Sequence, residues 1–169
     1  YERESLLNRP WKPAPLATRL VLENAEMEFE THSTGHYDIK RKRAGEGFQS
    51  VFVSKDTEYY RRADLRRIWS LVSVTKEAPD NDLMMRLMRQ SSATKIGSWA
   101  IEKNAAGDHM VMYVAKVDAT APDEAVSSTI DYVGRIAGAM NNELNPQPTG
   151  KSASETLAAW LAQYFDQLD

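Results

Sequence analysis

The N-terminal half of the chain changes from a helical to a strand-like hydrophobic period. Apolar residues at positions 16, 20 and 21 follow a proline, which predicts a short helix over residues 16–24. Apolar and polar residues then alternate between glycine-containing turns, and this alternation is typical of strands with one buried face. We therefore predict an antiparallel three-stranded meander and a fourth strand rich in β-branched residues. The four predicted strands cover residues 26–30, 37–43, 48–53 and 68–75.

The second half returns to helical spacing on both sides of a hairpin. Asp80 can cap a helix over residues 82–91, which has its apolar residues on one face. A strand led by Gly97 and a turn at 104–108 precede a long strand over 109–117. Because the long strand is apolar on both faces, we expect it to lie inside the sheet. A helix over 122–144 keeps helical spacing for five turns and ends before Pro146.

The two ends of the chain differ from the part between them. Three prolines disfavour regular structure in residues 1–15, which we predict to be an extended N-terminal arm. Ser152 and Glu155 have the spacing of a capping box, so residues 147–169 are predicted to contain an additional C-terminal amphipathic helix. Its apolar stripe consists of Leu157, Trp160, Leu161, Tyr164, Phe165 and Leu168. Residues 16–146 then form one α+β domain, with an antiparallel sheet packed by helices in the order helix, strands, helix, hairpin, helix.

The composition is that of a folded domain without thiol chemistry. The 169 residues are 42% hydrophobic and 27% charged, which excludes wholesale disorder. No cysteine is present, so disulfide scaffolds, thiolate metal sites and cysteine nucleophiles are excluded. No apolar run approaches the ~20 residues of a membrane span, so we expect no membrane partner and a cytoplasmic location. The chain begins at Tyr1, which is also compatible with a leader removed before that residue.

Charge is distributed unevenly along the chain. The net charge is −3, with +3 over residues 1–76 and −6 over residues 77–169. The sequence pI is about 5.7, whereas nucleic-acid-binding domains commonly have a pI above about 9. We therefore expect a protein or peptide partner and regard nucleic acid as the less favoured alternative.

No motif of a catalytic, nucleotide or metal site occurs in the sequence. His32 and His36 are four residues apart, but they flank a turn between strands and no further ligands have suitable spacing. The glycine-centred serine motif of hydrolases and the glycine-rich phosphate-binding motifs are both absent. We therefore predict no catalytic residue, no cofactor and no metal. An enzyme whose catalytic groups are distant in sequence is the alternative.

Two clusters of basic residues define the nucleic-acid alternative. A run of four begins at Lys40, and a second group follows the third strand. Alternate side chains of a strand point to opposite faces, so only part of the first run can contribute to one surface. The candidate basic patch consists of Lys40, Lys42, Arg61, Arg62, Arg66 and Arg67.

Methionines are concentrated between the middle helix and the long strand. Flexible thioethers suit both irregular cores and adaptable binding surfaces. We expect core packing to account for Met84 and Met88, whereas Met110 and Met112 are expected on a strand face that the helices cover incompletely. The candidate dimer or partner interface consists of Leu83, Met84, Leu87, Met88, Met110 and Met112.

The element order resembles the type III secretion chaperone-like fold, and in particular the YbjN family of bacterial proteins. Residues 83–89 are similar to the central helix of that family, and residues 95–101 to its glycine-led strand. The strand over 110–117 and the helix over 122–144 complete the likeness, while residues 16–75 fit more loosely.

This resemblance implies a small, acidic, non-enzymatic protein that often forms a homodimer. Secretion chaperones hold an extended client segment against apolar patches, and they pair near the central helix. The resemblance therefore implies a protein-binding or regulatory module, with dimerisation through the face of Leu83, Met84, Leu87 and Met88.

Overall fold

The computed structural model describes residues 16–45 and 47–146, which form three helices and seven strands. The helices are α1 (Thr18–Asn24), α2 (Asn81–Ala93) and α3 (Asp123–Leu144). The strands are β1 (Glu30–Thr31), β2 (Tyr37–Lys42), β3 (Phe48–Val53), β4 (Glu58–Tyr60), β5 (Ala63–Thr75), β6 (Ser98–Lys103) and β7 (His109–Asp118).

All the strands belong to one antiparallel sheet. Their order is β1-β2-β3-β5-β7-β6, and β4 pairs with the beginning of β5. The longest ladder joins β5 to β7, from Leu65 opposite Asp118 to Thr75 opposite His109. In the described part of the chain, β6 lies at the end of this order and has only β7 as a neighbour.

The helices pack on one face of the sheet, here called the first face. Helix α3 contacts β2, β3, β5 and β7, and α2 contacts β6. Among the described residues, the first-face core takes Leu22 from α1, Leu87 from α2 and Ile130 from α3, packed on strand residues such as Val51 and Val111. The α+β class and the antiparallel sheet packed by helices are therefore confirmed.

A second apolar cluster occupies the opposite face of the sheet, here called the second face. Its buried members are Phe52, Trp69, Leu71, Met110 and Met112. Phe52 lies beside Trp69 in the β3–β5 pairing, and Leu71 lies beside Met112 in the β5–β7 pairing. Because successive side chains of a strand point to opposite faces, β7 contributes Met110 and Met112 here and Val111 to the first face.

Most predicted elements are confirmed, with shifts at their ends. The meander, the hairpin and the position of β7 inside the sheet are as predicted. The first predicted strand is shorter, because Glu26 has a positive φ of 54° and only Glu30–Thr31 pairs with β2. The fourth predicted strand is longer, since β5 begins at Ala63 and pairs there with β4, which the sequence pattern did not indicate.

The predicted arm over 1–15 and the predicted C-terminal helix within 147–169 lie outside the described residues. Within the described ranges, none of the three helices combines the length and hydrophobicity required to cross a bilayer.

Candidate functional site: a groove between α2 and β6

The site is an apolar groove between α2 and the outermost strand β6, here called the α2–β6 groove. It encloses about 380 Å³. The residues that line it are Met84, Leu87, Met88, Ser91, Ser98, Trp99 and Ile101.

Local hydrogen bonds hold α2 against β6. Helix α2 begins after Asp80, whose carboxylate accepts a hydrogen bond from the Leu83 amide at 2.7 Å. At the other end, Ser91 Oγ accepts a hydrogen bond from the Trp99 amide at 2.9 Å. The Trp99 indole Nε1 donates to Gln90 Oε1 at 2.6 Å. These contacts fix one wall of the groove to the other.

Gly97 allows β6 to begin close to β7. Its φ is +76°, and a Cβ atom at this position would lie 2.5 Å from the carbonyl oxygen of Val114. A side chain would therefore be strained both by the backbone conformation and by the contact. The glycine lets Trp99 pack edge-to-face on Tyr113, with ring centroids 5.1 Å apart.

Several apolar side chains at the groove stay exposed. Met88 is 69% exposed, Ile101 is 39% exposed, and the neighbouring Met85 on α2 is 50% exposed. Single exposed apolar residues are common, but a group lining a concave surface is typical of a binding site. The flexible thioethers can adapt to side chains of different shapes.

The backbone of β6 offers a second binding element beside the groove. Trp99, Ile101 and Lys103 are every second residue of β6, and they lie opposite Tyr113, Val111 and His109 of β7. The Trp99 amide points away from β7, because it donates to Ser91 Oγ on α2. By the alternation of an antiparallel ladder, the amides and carbonyls of Ile101 and Lys103 point outward as well. An added strand could pair with them.

The chemistry of the groove is that of apolar burial. Its lining contains two serine hydroxyls and one indole but no carboxylate, amine or imidazole. Tyr113 lies behind Trp99, and burial raises the pKa of its phenol, which donates to the carbonyl of Ile96. The arrangement can bury a hydrophobic side chain and satisfy a few neutral hydrogen bonds.

The structure divides the predicted α2 surface into buried and exposed positions. Leu87 is buried in the first-face core, and Leu83 is partly buried against it. Met84 lines the groove and is half-buried, while Met88 is exposed. The expectation that Met88 fills the core is therefore wrong. Leu87 lines the groove, although its side chain is only 2% exposed.

The inclusion of Met110 and Met112 in the candidate interface is also wrong, because neither side chain is accessible. Met110 is 2% exposed and Met112 is 0% exposed, and both belong to the second-face cluster. They lie on the opposite side of β7 from Tyr113, which packs against Trp99 of the groove, and they are absent from the groove lining. The sequence pattern placed them correctly on one strand face but did not show that this face is buried.

The predicted basic patch is not a continuous surface. Arg66 is buried, so its inclusion was wrong, and Arg67 is partly buried between Glu102 at 3.0 Å and the Trp69 ring at 5.2 Å. Lys40 pairs with Asp38 at 3.2 Å. Lys42, Arg61 and Arg62 are exposed as well, on β2 and on the turn between β4 and β5.

The histidines are near turns or strand ends, as predicted. The His32 amide donates to the carbonyl of His36 across the β1–β2 turn. His36 is half-buried with its ring 5.3 Å from that of Trp69, and burial lowers the pKa of its imidazole. Among residues 16–45 and 47–146, no group of three or more potential metal ligands occurs.

Sequence reasoning missed the β6 wall of the groove. The sequence pattern places Trp99 and Ile101 in a hairpin strand but indicates no role for them. A usable signal was present, since Trp99, Ile101 and Lys103 share one face of β6 and follow directly after α2. If this face of β6 had been predicted to pack beside α2, the sequence would have indicated the groove.

Comparisons with known proteins give one structural likeness. No family model matches the sequence, and no curated protein matches it. The chain is similar to the crystal structure of YbjN from E. coli, a protein provisionally described as a transcription regulator. The likeness covers 75% of this chain and 87% of that chain, with 11% sequence identity and a TM-score of 0.42. These values do not establish family membership.

Proposed function

We propose that the protein is a non-enzymatic protein-binding module that holds an extended apolar segment of a partner protein in the α2–β6 groove. The observation that carries the proposal is the exposed apolar lining beside an edge strand: Met88 and Ile101 are exposed at a concave surface, and β6 has a strand neighbour on one side only within the described residues.

Strand addition provides a physical route to such binding. A segment pairing with β6 would gain main-chain hydrogen bonds at Ile101 and Lys103. Alternate side chains of the added strand would point toward the groove, where apolar residues can be buried. We therefore expect a preferred segment with hydrophobic residues at every second position.

Self-association is a second candidate for the same surface, favoured by the position of β6 at the end of the strand order in the described residues. Two copies of an antiparallel edge strand can pair across a two-fold axis, which would also bring the two α2 helices together. The homodimer implied by the resemblance would then use Met84 and Met88 rather than the buried Leu87. Partner binding and self-association would compete for one surface.

Met88→Asp tests the groove because it places a charge on an exposed residue and leaves the core intact. Peptides selected from a displayed random library on the natural protein should bind Met88→Asp at least about tenfold more weakly, since a carboxylate opposes apolar burial. Arg89→Asp is the control, because Arg89 is an exposed α2 residue outside the groove lining. Dissociation constants from calorimetry would provide the comparison.

Equal affinity of the selected peptides for both variants would contradict the groove proposal. Light scattering on the same proteins measures their mass and tests self-association, the second candidate. A dimer mass that becomes monomeric in Met88→Asp but not in Arg89→Asp would assign the surface to self-association. A dimer mass retained in Met88→Asp would exclude the groove from the contact between copies.

A further inference from the structure

The part of β6 that can pair with an added strand is shorter than β6 itself. The Trp99 amide already donates to Ser91 Oγ at 2.9 Å, so it is not available to another strand. Outward-pointing amides of β6 are therefore available from Ile101 onward, and Lys103 is the last residue of the strand. A segment that adds to this edge has two successive pairing positions, Ile101 and Lys103.

The side chains at these two positions differ in chemistry. Ile101, like Trp99, lines the groove. Lys103 is exposed, and it lies on the same face of β6 because every second residue of a strand shares a face. Along its edge strand, the groove thus presents an apolar residue followed by a cation.

The charge of Lys103 has no partner among the described residues. Its amine forms no ion pair with them, and the groove lining contains no carboxylate. Glu102 lies on the opposite face of β6 and pairs with Arg67 at 3.0 Å. Across the β6–β7 ladder, Lys103 is opposite His109, which adds no negative charge. A partner side chain that faces Lys103 therefore meets an uncompensated positive charge.

The acidic residues at the start of α2 are engaged or directed elsewhere. The Asp80 carboxylate accepts the hydrogen bond from the Leu83 amide that caps the helix. Asp82 is two residues before Met84, which places it about 200° around the helix from that groove residue. Neither carboxylate compensates Lys103.

We propose that the partner segment carries an acidic residue two positions before its groove-binding apolar residue, in the order Asp or Glu, any residue, large apolar residue. This inference rests on the proposed function of the α2–β6 groove. It names the chemistry of the segment that the groove holds.

The order of these residues follows from the direction of pairing. Every described pairing in the sheet is antiparallel, and an antiparallel segment runs from Lys103 toward Ile101. Its first residue then faces Lys103 and its third faces Ile101 on the groove side, while the middle side chain points to the opposite face. A carboxylate opposite Lys103 forms a favourable cross-strand pair, whereas a second cation at that position is repelled.

The same geometry disfavours β6 of a second copy as the occupant. Two-fold pairing of two β6 strands keeps their groove-side residues on one face, and those residues are Trp99, Ile101 and Lys103. None of them is acidic, so a second copy would leave Lys103 without a partner. The charge thus favours a different protein as the source of the segment.

Selection from a displayed library of short random peptides tests the proposal on the natural chain, Lys103→Glu and Lys95→Glu. Peptides selected on the natural chain should be enriched at least about threefold in Asp or Glu two positions before a shared large apolar residue. Lys103→Glu should select Lys or Arg at that position instead. Lys95→Glu makes the same change of charge at an exposed residue before β6 begins, and it should select as the natural chain does.

Calorimetry on one selected peptide measures the same preference as an affinity. The peptide with lysine in place of its acidic residue should bind the natural chain at least about threefold more weakly. It should bind Lys103→Glu more tightly than the acidic peptide does. Both differences should shrink as the salt concentration rises, because the pair is exposed to solvent.

The remaining outcomes would overturn the proposal. The absence of an acidic preference, or the same preference in Lys103→Glu, would refute this inference and leave the groove proposal intact. Acidic residues two positions after the apolar residue would contradict the antiparallel order. If Met88→Asp weakens none of the selected peptides, the groove proposal fails and this inference fails with it. A dimer mass in light scattering, with peptides binding only the monomer, would assign the edge to a second copy.

Discussion

Arg66 anchors three chain segments although arginine is usually a surface residue. It is 1% exposed, and its guanidinium donates to the Thr18 hydroxyl, to the carbonyl of Leu16 at 2.9 Å and to the carbonyl of Ala119 at 3.3 Å. Burial lowers the pKa of Arg66, and the nearby Asp64 opposes that shift. The fixed fork of donors joins the start of α1, strand β5 and the end of β7.

Arg66→Met should therefore destabilise the protein by about 3 kcal/mol, because a hydroxyl and two carbonyls lose their charged donor. Arg66→Lys should recover only part of this loss, since one ammonium cannot reproduce the fork. Urea unfolding measures both. Arg89→Ala, at an exposed position, serves as the reference and should stay within about 0.5 kcal/mol of the natural protein. A loss at Arg66 no larger than this reference would refute the anchoring role.

Asp38 is a second charged residue in a buried position. One carboxylate oxygen accepts hydrogen bonds from Lys40 Nζ and Ser50 Oγ, each at 3.2 Å, while Oδ1 is buried without a hydrogen-bond partner. Burial raises the pKa of Asp38, and the charge of Lys40 and the Ser50 hydrogen bond offset this only in part. The folded state thus favours the protonated form more than the unfolded state does.

The sign of the pH dependence follows from this raised pKa. Stability contributed by protonated Asp38 is present below the unfolded pKa of about 3.9 and is lost as pH rises through the folded pKa. The Asp38→Asn side chain does not ionise, so the variant does not lose this stability as pH rises. The free energy of unfolding of Asp38→Asn minus that of the natural protein should therefore be larger at pH 7 than at pH 4. Urea unfolding at both pH values tests this. The exposed Glu28→Gln is the control, and a relative stability of Asp38→Asn that is greater at pH 4 would contradict the expectation.

At the scale of elements, two glycines let α3 approach the strands closely. A Cβ atom on Gly134 would lie 3.1 Å from both Arg41 Cγ and Val51 Cγ2, and one on Gly138 would lie 3.2 Å from Arg43 Cγ. The glycines are four residues apart and therefore lie on one face of the helix. The side chains of Arg41 in β2 and of Arg43, directly after β2, contact that face. Arg41 also pairs with Asp131 at 2.6 Å.

Gly134→Leu should separate α3 from β2 and β3 and cost about 1–3 kcal/mol through overpacking. Leucine has the higher helix propensity, so any loss must come from the contact rather than from the helix itself. Ala139→Leu adds a leucine to an exposed position of the same helix and should cost less than about 0.5 kcal/mol. Thermal and urea unfolding would measure both variants. A Gly134→Leu protein as stable as Ala139→Leu would rule out the close approach.

The predicted elements were most accurate where one hydrophobic period continued for several turns or residues. Helix α3 was predicted over 122–144 and runs from Asp123 to Leu144, because its apolar stripe and the following proline are both local signals. Strand β4 was not predicted, because its three residues gain their structure from pairing with β5. Three residues of the groove lining, Met84, Leu87 and Met88, are in the candidate interface named from the sequence, while Trp99 and Ile101 are not.

At the scale of the whole molecule, the fold uses part of the charge asymmetry internally. Arg41 of the basic half pairs with Asp131 of the acidic half, and Arg67 pairs with Glu102 in the same way. Such pairs contribute little stability at the surface but reduce the field that a charged partner would experience. This agrees with a proposed partner recognised by apolar contacts and strand pairing, and the Met88→Asp comparison tests that basis of recognition.

Local residue patterns in the sequence were sufficient to predict the class of fold, the order of the elements and most of their bounds. These features depend on residue spacing within one segment, since a period of two or 3.6 specifies which side chains share a face. Tertiary structure alone decided that β5 lies between β3 and β7, that Arg66, Met110 and Met112 are buried, and that α2 and β6 enclose a groove. Burial depends on what packs opposite a face, and the residues that do so come from distant parts of the chain, where local spacing carries no information.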